Sequence, residues 1–148
     1  MPKVSSGLLM FKINNGLEVF LAHPGGPFWE KKDESSWTIP KGEVNENEDL
    51  FEAAKREFEE EIGMKPEGDF IPLDSVEQKS GKIVHAWAFR NDSTPVLLRQ
   101  NFITIDFKGK KIKIPEIDKA QFFSINEAKK KILPAQKKFL EKLEELVD

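Results

Sequence analysis

Residues 49–63, DLFEAAKREFEEEIG, limit what this chain can fold into more than any other stretch. Placed on a helix at ~100° per residue with Leu50 at zero, Leu50, Phe51, Ala54, Phe58 and Ile62 share an arc of roughly 120°. That arc predicts an amphipathic helix from Asp49 to Ile62, packed on the protein body, with Gly63 ending it in a left-handed turn. Glu52, Lys55 and Glu59 point away to solvent. Glu57 and Glu61 fall within about 20° of Leu50, and Glu60 about 80° to its other side, so three carboxylates converge at the edge of the buried face. Like charges at i,i+3 and i,i+4 cost about 0.2–0.5 kcal/mol a pair, and each acid in the last turn opposes the helix dipole by a further ~0.3–1 kcal/mol. A solvated acidic face is one reading. A hard divalent cation is the other, and oxygen donors with no sulfur and no neighbouring histidine select Mg²⁺ or Mn²⁺ over zinc.

The rest of the chain reads as scaffold. Segments 5–14 and 17–22 flank Asn15-Gly16, a pair favoured in tight hairpins. A long loop follows over 23–36, rich in Pro, Gly and charge, and Trp37-Thr38-Ile39 reads as a short strand halted by Pro40, with a turn at Lys41-Gly42. After the helix, strands are expected over 70–76, 83–89, 102–107, 111–114 and 120–123. Ser124 and Glu127 form a capping-box pattern for a short helix to about Ile132. Beyond Pro134, residues 135–147 form a last amphipathic helix with Phe139, Leu140, Leu143 and Leu146 inward. Strands with one early helix and helices at the end indicate an α+β fold, one domain over 1–148.

Composition closes off several function classes. The 148 residues hold no cysteine, so disulfides and thiolate metal sites are excluded. Hydrophobic residues make up 39% and charged ones 33%, as in a globular protein. No apolar run approaches the ~20 residues that span a bilayer, and the first residues lack the pattern of a signal peptide, so a cytoplasmic location and no membrane partner are expected. A formal charge of −3 gives no general attraction to nucleic acid. A polyanionic ligand must then be received by local lysines or a bound cation.

Gly42, Glu48, Arg56-Glu57-Phe58, Glu60-Glu61 and Gly63-Met64 stand at the spacing of one known signature. The segment resembles the signature box of the Nudix hydrolases at every defined position, and the flanking elements are similar to that family's α/β/α sandwich around a mixed sheet. The resemblance implies that Glu57, Glu60 and Glu61 bind catalytic Mg²⁺ or Mn²⁺, with the Gly42 carbonyl as a further ligand. It implies that Glu48, Arg56 and Gly63 are structural, the arginine holding the loop onto the helix. Asn47 replaces a glycine common in such boxes, and asparagine tolerates the left-handed backbone.

The implied reaction is attack of water on a phosphorus of a diphosphate linkage. Its expected substrate is a nucleoside diphosphate linked to another moiety, and the protein is expected as a monomer or homodimer. Glu116, in a Pro-Glu segment that resembles dinucleoside polyphosphate hydrolases, is a second catalytic candidate, Asp118 a lesser one; an ordinary loop acid is the alternative. Lys41 is a candidate phosphate ligand. Phe28 and Trp29 are candidates to stack on a base, with Lys32 beside them as a substrate contact. Trp37-Thr38-Ile39-Pro40-Lys41-Gly42 and the Pro115-Glu116 segment lean toward dinucleoside polyphosphates such as diadenosine tetraphosphate, whereas the 23–29 insertion resembles a bacterial branch of the family. Nucleoside triphosphate clean-up, diphosphoinositol cleavage and a non-catalytic nucleotide-binding regulator stay open. His23, His85, Trp37 and Trp87 read as structural, and Arg90 and Arg99 as undirected.

Overall fold

Strand β1 (Val4–Ile13) is buried without a break from Ser5 to Phe11, so both of its faces must be covered. The computed structural model describes residues 3–25, 32–92, 102–115 and 117–147. Leu8 and Met10 of β1 pack with Ala54, Phe58 and Ile62 of helix α1 (Leu50–Ile62). Leu9 and Phe11, on the opposite face, pack with Ala128 of α2 (Ile125–Lys131) and with Phe139, Leu140 and Leu143 of α3 (Lys137–Val147). A helix layer lies on each side of the sheet, the expected α/β/α sandwich.

The sheet runs in the order β4 (Phe70–Glu77), β5 (Ile83–Arg90), β1, β2 (Leu17–Pro24), β8 (Ile117–Ser124). It is mixed, because β1 pairs parallel with β5 and antiparallel with β2. Asn15 (φ 58°) and Gly16 (φ 137°) make the expected tight turn between β1 and β2. A separate hairpin joins β6 (Phe102–Phe107) and β7 (Lys110–Pro115).

One expectation fails where it matters for the site. Pro40 does not halt a strand, and Lys41-Gly42 is no turn. Lys41–Glu43 is strand β3, in register with Ser5, Ser6 and Gly7 of β1. Trp37 and Thr38 make only isolated bridges, to Ile132 and Ala22. The strand signal was displaced by four residues because the Lys-Gly pair invites a local turn, whereas β3 is created by a partner more than thirty positions away. Its approach to β1 is close: a Cβ on Gly7 would lie 2.5 Å from the Pro40 carbonyl oxygen and 2.7 Å from the Lys41 Cβ.

One smaller correction concerns packing. Leu146 is 48% exposed instead of inward, while Val147 beside it packs against the core. Trp87, read as structural, is half-buried, packs against the cluster of Leu8, Met10 and Phe58, and lies 5.2 Å from the Phe51 ring.

Candidate active site

Helix α1 starts where its sequence says it should. Asp49 accepts a hydrogen bond from the Glu52 N–H at 3.0 Å, and Gly63 (φ 80°) closes the other end by donating to the Glu59 carbonyl. The last turn contains no basic residue, so its acids need their counter-charge from elsewhere. Arg56, one turn earlier, supplies it. Its Nε and Nη2 grip Glu48 at 2.7 and 2.9 Å, Nη1 donates to Glu57 at 2.9 Å and to Glu60 at 3.2 Å, and Nη2 reaches the Glu43 carbonyl at 3.2 Å. A bidentate guanidinium–carboxylate pair of this kind is among the stronger polar contacts. The loop before α1, with Asn47 left-handed at φ 63°, is thus tied to the helix and to β3 at once.

The fork acts on both partners. The Arg56 hydrogen bonds, helped by the Asn45 N–H, depress the Glu48 carboxyl to about 2, and the Glu48 bond raises the arginine above its usual range. Glu48 is therefore committed to Arg56 and is not available to a ligand.

Glu57 sits where α1 meets β3. Its side chain is only 14% exposed, and a Cβ built on Gly42 would lie 2.0 Å from the Glu57 carboxyl carbon. Any side chain at 42 would push that carboxylate from its present seat against the β3 backbone. Glu61 is half-buried, while Glu59 is exposed, as the helical wheel requires. Glu60 is 48% exposed at its side chain and shares Arg56 with Glu57.

Among the described residues, no three acidic side chains are already gathered tightly enough to cage a cation. Two of the three candidates lean on Arg56, so a cation at Glu57 and Glu60 would have to exchange part of an arginine contact for a metal contact. The donor set is all oxygen, three carboxylates and a glycine carbonyl, and the cradle at Gly42 has no side chain to obstruct it. That set fits Mg²⁺ or Mn²⁺.

Lys41 flanks this site. It is half-buried, and its ammonium is pushed down by burial first and by Lys82 second, against the pull of Glu61, Glu57 and Glu43. Two lysines and the acids of α1 therefore share one end of the sheet. Sequence reading missed Lys82, because nothing local links the turn before β5 to the Lys-Gly pair. It also missed Ser6. Its hydroxyl is fully buried without a hydrogen bond among the described residues, and Ser6 is in register with Gly42 on one side and His85 on the other.

The remaining candidates have the following surroundings. Lys32 is exposed, and its carbonyl accepts from His23 Nε2 at 2.6 Å; that histidine is 1% exposed and packs on Trp37, a structural role. Arg90 pairs with Asp92 at 3.7 Å, at the end of β5 far from Gly42. Phe28, Trp29, Arg99 and Glu116 lie outside the described residues. No helix among the described residues is long and apolar enough to cross a membrane.

Comparison with known proteins gives the family and the fold. The chain aligns at 32% identity over 91 residues with the RNA pyrophosphohydrolase of Pseudoalteromonas translucida (strain TAC 125), covering 61% of this chain and 52% of that protein. The chain thus spans about half the length of this curated relative. Among solved structures, the Ap4A hydrolase of C. elegans in a binary complex superposes with a TM-score of 0.69 at 20% identity, covering 97% of each chain. The NUDIX domain of Shewanella oneidensis NrtR, solved with ADP ribose, gives 0.67 at 14% identity, covering 100% of this chain and 90% of that one. At such identities these structures establish the fold alone. The family model described as the NUDIX domain matches residues 3–143, and with the box intact on α1 the chain belongs to the Nudix family.

Proposed function

We propose that this chain is a divalent-metal-dependent pyrophosphohydrolase that cleaves a diphosphate linkage in a nucleoside diphosphate joined to another moiety. The observation that carries the reading is the seat of Glu57 on the bare backbone of Gly42, at the end of a helix that also presents Glu60 and Glu61. In this reading those three carboxylates and the Gly42 carbonyl hold Mg²⁺ or Mn²⁺. When bound, such ions neutralise phosphate oxygens and lower the pKa of an attacking water. Arg56 keeps the loop and helix in register, and Lys41 receives a phosphate oxygen next to the carboxylates. A carboxylate base takes the proton of the water. Glu116 is the proposed base, with a glutamate of α1 as the alternative.

Within the class, dinucleoside polyphosphates are the favoured substrates, on the Pro-Lys-Gly and Pro-Glu segments of the sequence. A second reading takes the 5′ end of an RNA as substrate, and the 32% identity with an RNA pyrophosphohydrolase favours it. Both present the same diphosphate linkage on a nucleoside. The test is a panel of dinucleoside polyphosphates, nucleoside triphosphates, nucleoside diphosphate sugars and a 5′-triphosphorylated RNA, with Mg²⁺ or Mn²⁺ and product identification. Metal-dependent release of a nucleotide from a dinucleoside polyphosphate supports the reading. Turnover confined to the RNA shifts it to the second, and no turnover on any compound overturns both. Glu116→Gln is expected to cut turnover by about a hundredfold or more while Mn²⁺ binding persists.

A further inference from the structure

Between β2 and β3 the backbone changes partners, and at the change a single side chain stands in for a strand. Thr38 exchanges both backbone bonds with Ala22, at 2.9 and 2.8 Å, along the edge of β2. Two residues on, the Pro40 carbonyl accepts from the Leu8 N–H of β1 at 3.1 Å. Ile39 lies between the two edges. Its N–H donates at 3.0 Å to Oε1 of Gln136, a residue 97 positions away. Pro40 has no N–H to offer, so between Thr38 and Lys41 the Ile39 N–H is the backbone donor to be satisfied, and Gln136 accepts from it.

Gln136 is fully buried and held from several directions. Its Nε2 donates to Gln78 Oε1 at 3.0 Å, and its backbone N–H donates to Leu133. Leu133 in turn donates to the Trp37 carbonyl at 2.8 Å, on the segment that Gln136 clasps. A buried backbone N–H without an acceptor is rare and costly, which fixes the Gln136 oxygen toward Ile39.

We infer that Gln136 is a positioning residue for the carboxylate site. Its bond to Ile39 sets the height at which β3 enters, and so where the Gly42 backbone lies against Glu57. Gly42 is paired with Ser6 in the β1–β3 ladder and its backbone lies beside the Glu57 carboxylate, so a shift of β3 at its point of entry moves both contacts. The inference rests on the proposed cation site at Gly42, Glu57, Glu60 and Glu61, and goes beyond it by adding a residue from the far end of the chain.

The test uses substrate-free protein and titrates Mn²⁺ against wild type, Gln136→Met and Gln78→Met, following the electron paramagnetic resonance signal of the free ion. Both variants break the bond between Gln136 and Gln78. Gln136→Met alone breaks the bond to Ile39. The expected result is Mn²⁺ affinity weakened about 10–100-fold in Gln136→Met and within threefold of wild type in Gln78→Met. Equal affinities across the three proteins, or equal losses in both variants, overturn the inference. Wild-type protein that binds no Mn²⁺ overturns the proposed cation site itself, and the inference falls with it. Should Gln136→Met fail to fold, wild-type hydrogen exchange decides. Coupling is reciprocal, so saturating Mg²⁺ must slow exchange of the Ile39 N–H about tenfold or more. An unchanged rate overturns the inference.

Discussion

The loop and helix over 43–63 and the segment 33–39, a clasp that leads into β3, are held by opposite means. The first is tied by partners close in sequence: Arg56 grips Glu48 eight positions away, and Asp49 and Gly63 cap the helix they adjoin. The second is held from a distance. Ser35, Ser36 and Trp37 donate backbone bonds to Lys130 and Lys131, and Ile39 leans on Gln136. Lys131 and Asp33 also pair, and each draws the other's pKa outward, the acid down and the ammonium up. Local ties make the box recognisable wherever it occurs. Distant ties decide where it sits.

Truncation of the distant clasp is expected to have the largest effect on the fold. Trp37 is 3% exposed and packs edge-on against Phe123 at 4.8 Å, so Trp37→Ala should lower stability by about 3–5 kcal/mol in denaturant unfolding. A loss below ~1 kcal/mol would show that the clasp is ornamental. On the local side, Glu61→Gln is expected to cut turnover more than about a hundredfold with the circular dichroism and melting temperature near wild type. Full activity in that variant would remove Glu61 from the cation site.

Glu48→Gln sharpens the contrast through pH. The Glu48 carboxyl is lowered to about 2 from its ordinary 4.5, chiefly by its bond to Arg56. A depressed carboxylate stabilises the fold above the unfolded value and loses that contribution as pH falls through the folded one. Wild type should therefore exceed Glu48→Gln by about 2–3 kcal/mol near pH 7, with the gap closing between about pH 4.5 and pH 2. A gap independent of pH would mean that packing, not charge, holds the loop. Leu146→Ser should change stability by less than ~0.5 kcal/mol, since that side chain is half exposed. A loss as large as that of a core leucine would require α3 to have a partner on its outer face.

Much of the site was legible because its grammar is short-ranged. The wheel placed Glu57 and Glu61 at the buried edge and Glu59 in solvent, and the structure has them so. The Asn15-Gly16 turn, the Ser124 cap and the Gly63 stop are likewise settled within a few residues. The segment 37–43 was misread for the complementary reason. Trp37-Thr38-Ile39 carries strand-forming side chains, yet the ladder forms at Lys41–Glu43, where β1 offers Gly7 and space for close approach. Strand propensity reports fitness for a pleated surface, and only the neighbour determines whether such a surface is present.

The sequence by itself determined that a helix with one apolar face would set Glu57 and Glu61 at the edge of that face and Glu59 in solvent, because helical period acts within two turns. The tertiary structure decided what lies opposite them: the bare Gly42 backbone, Lys41 and Lys82 at one end of the sheet, and Gln136 closing the gap at Ile39. Lys82 and Gln136 lie tens of residues from Gly42 in the chain, so no local pattern could have announced them, and the pairing of β3 with β1 decides where Gly42 lies.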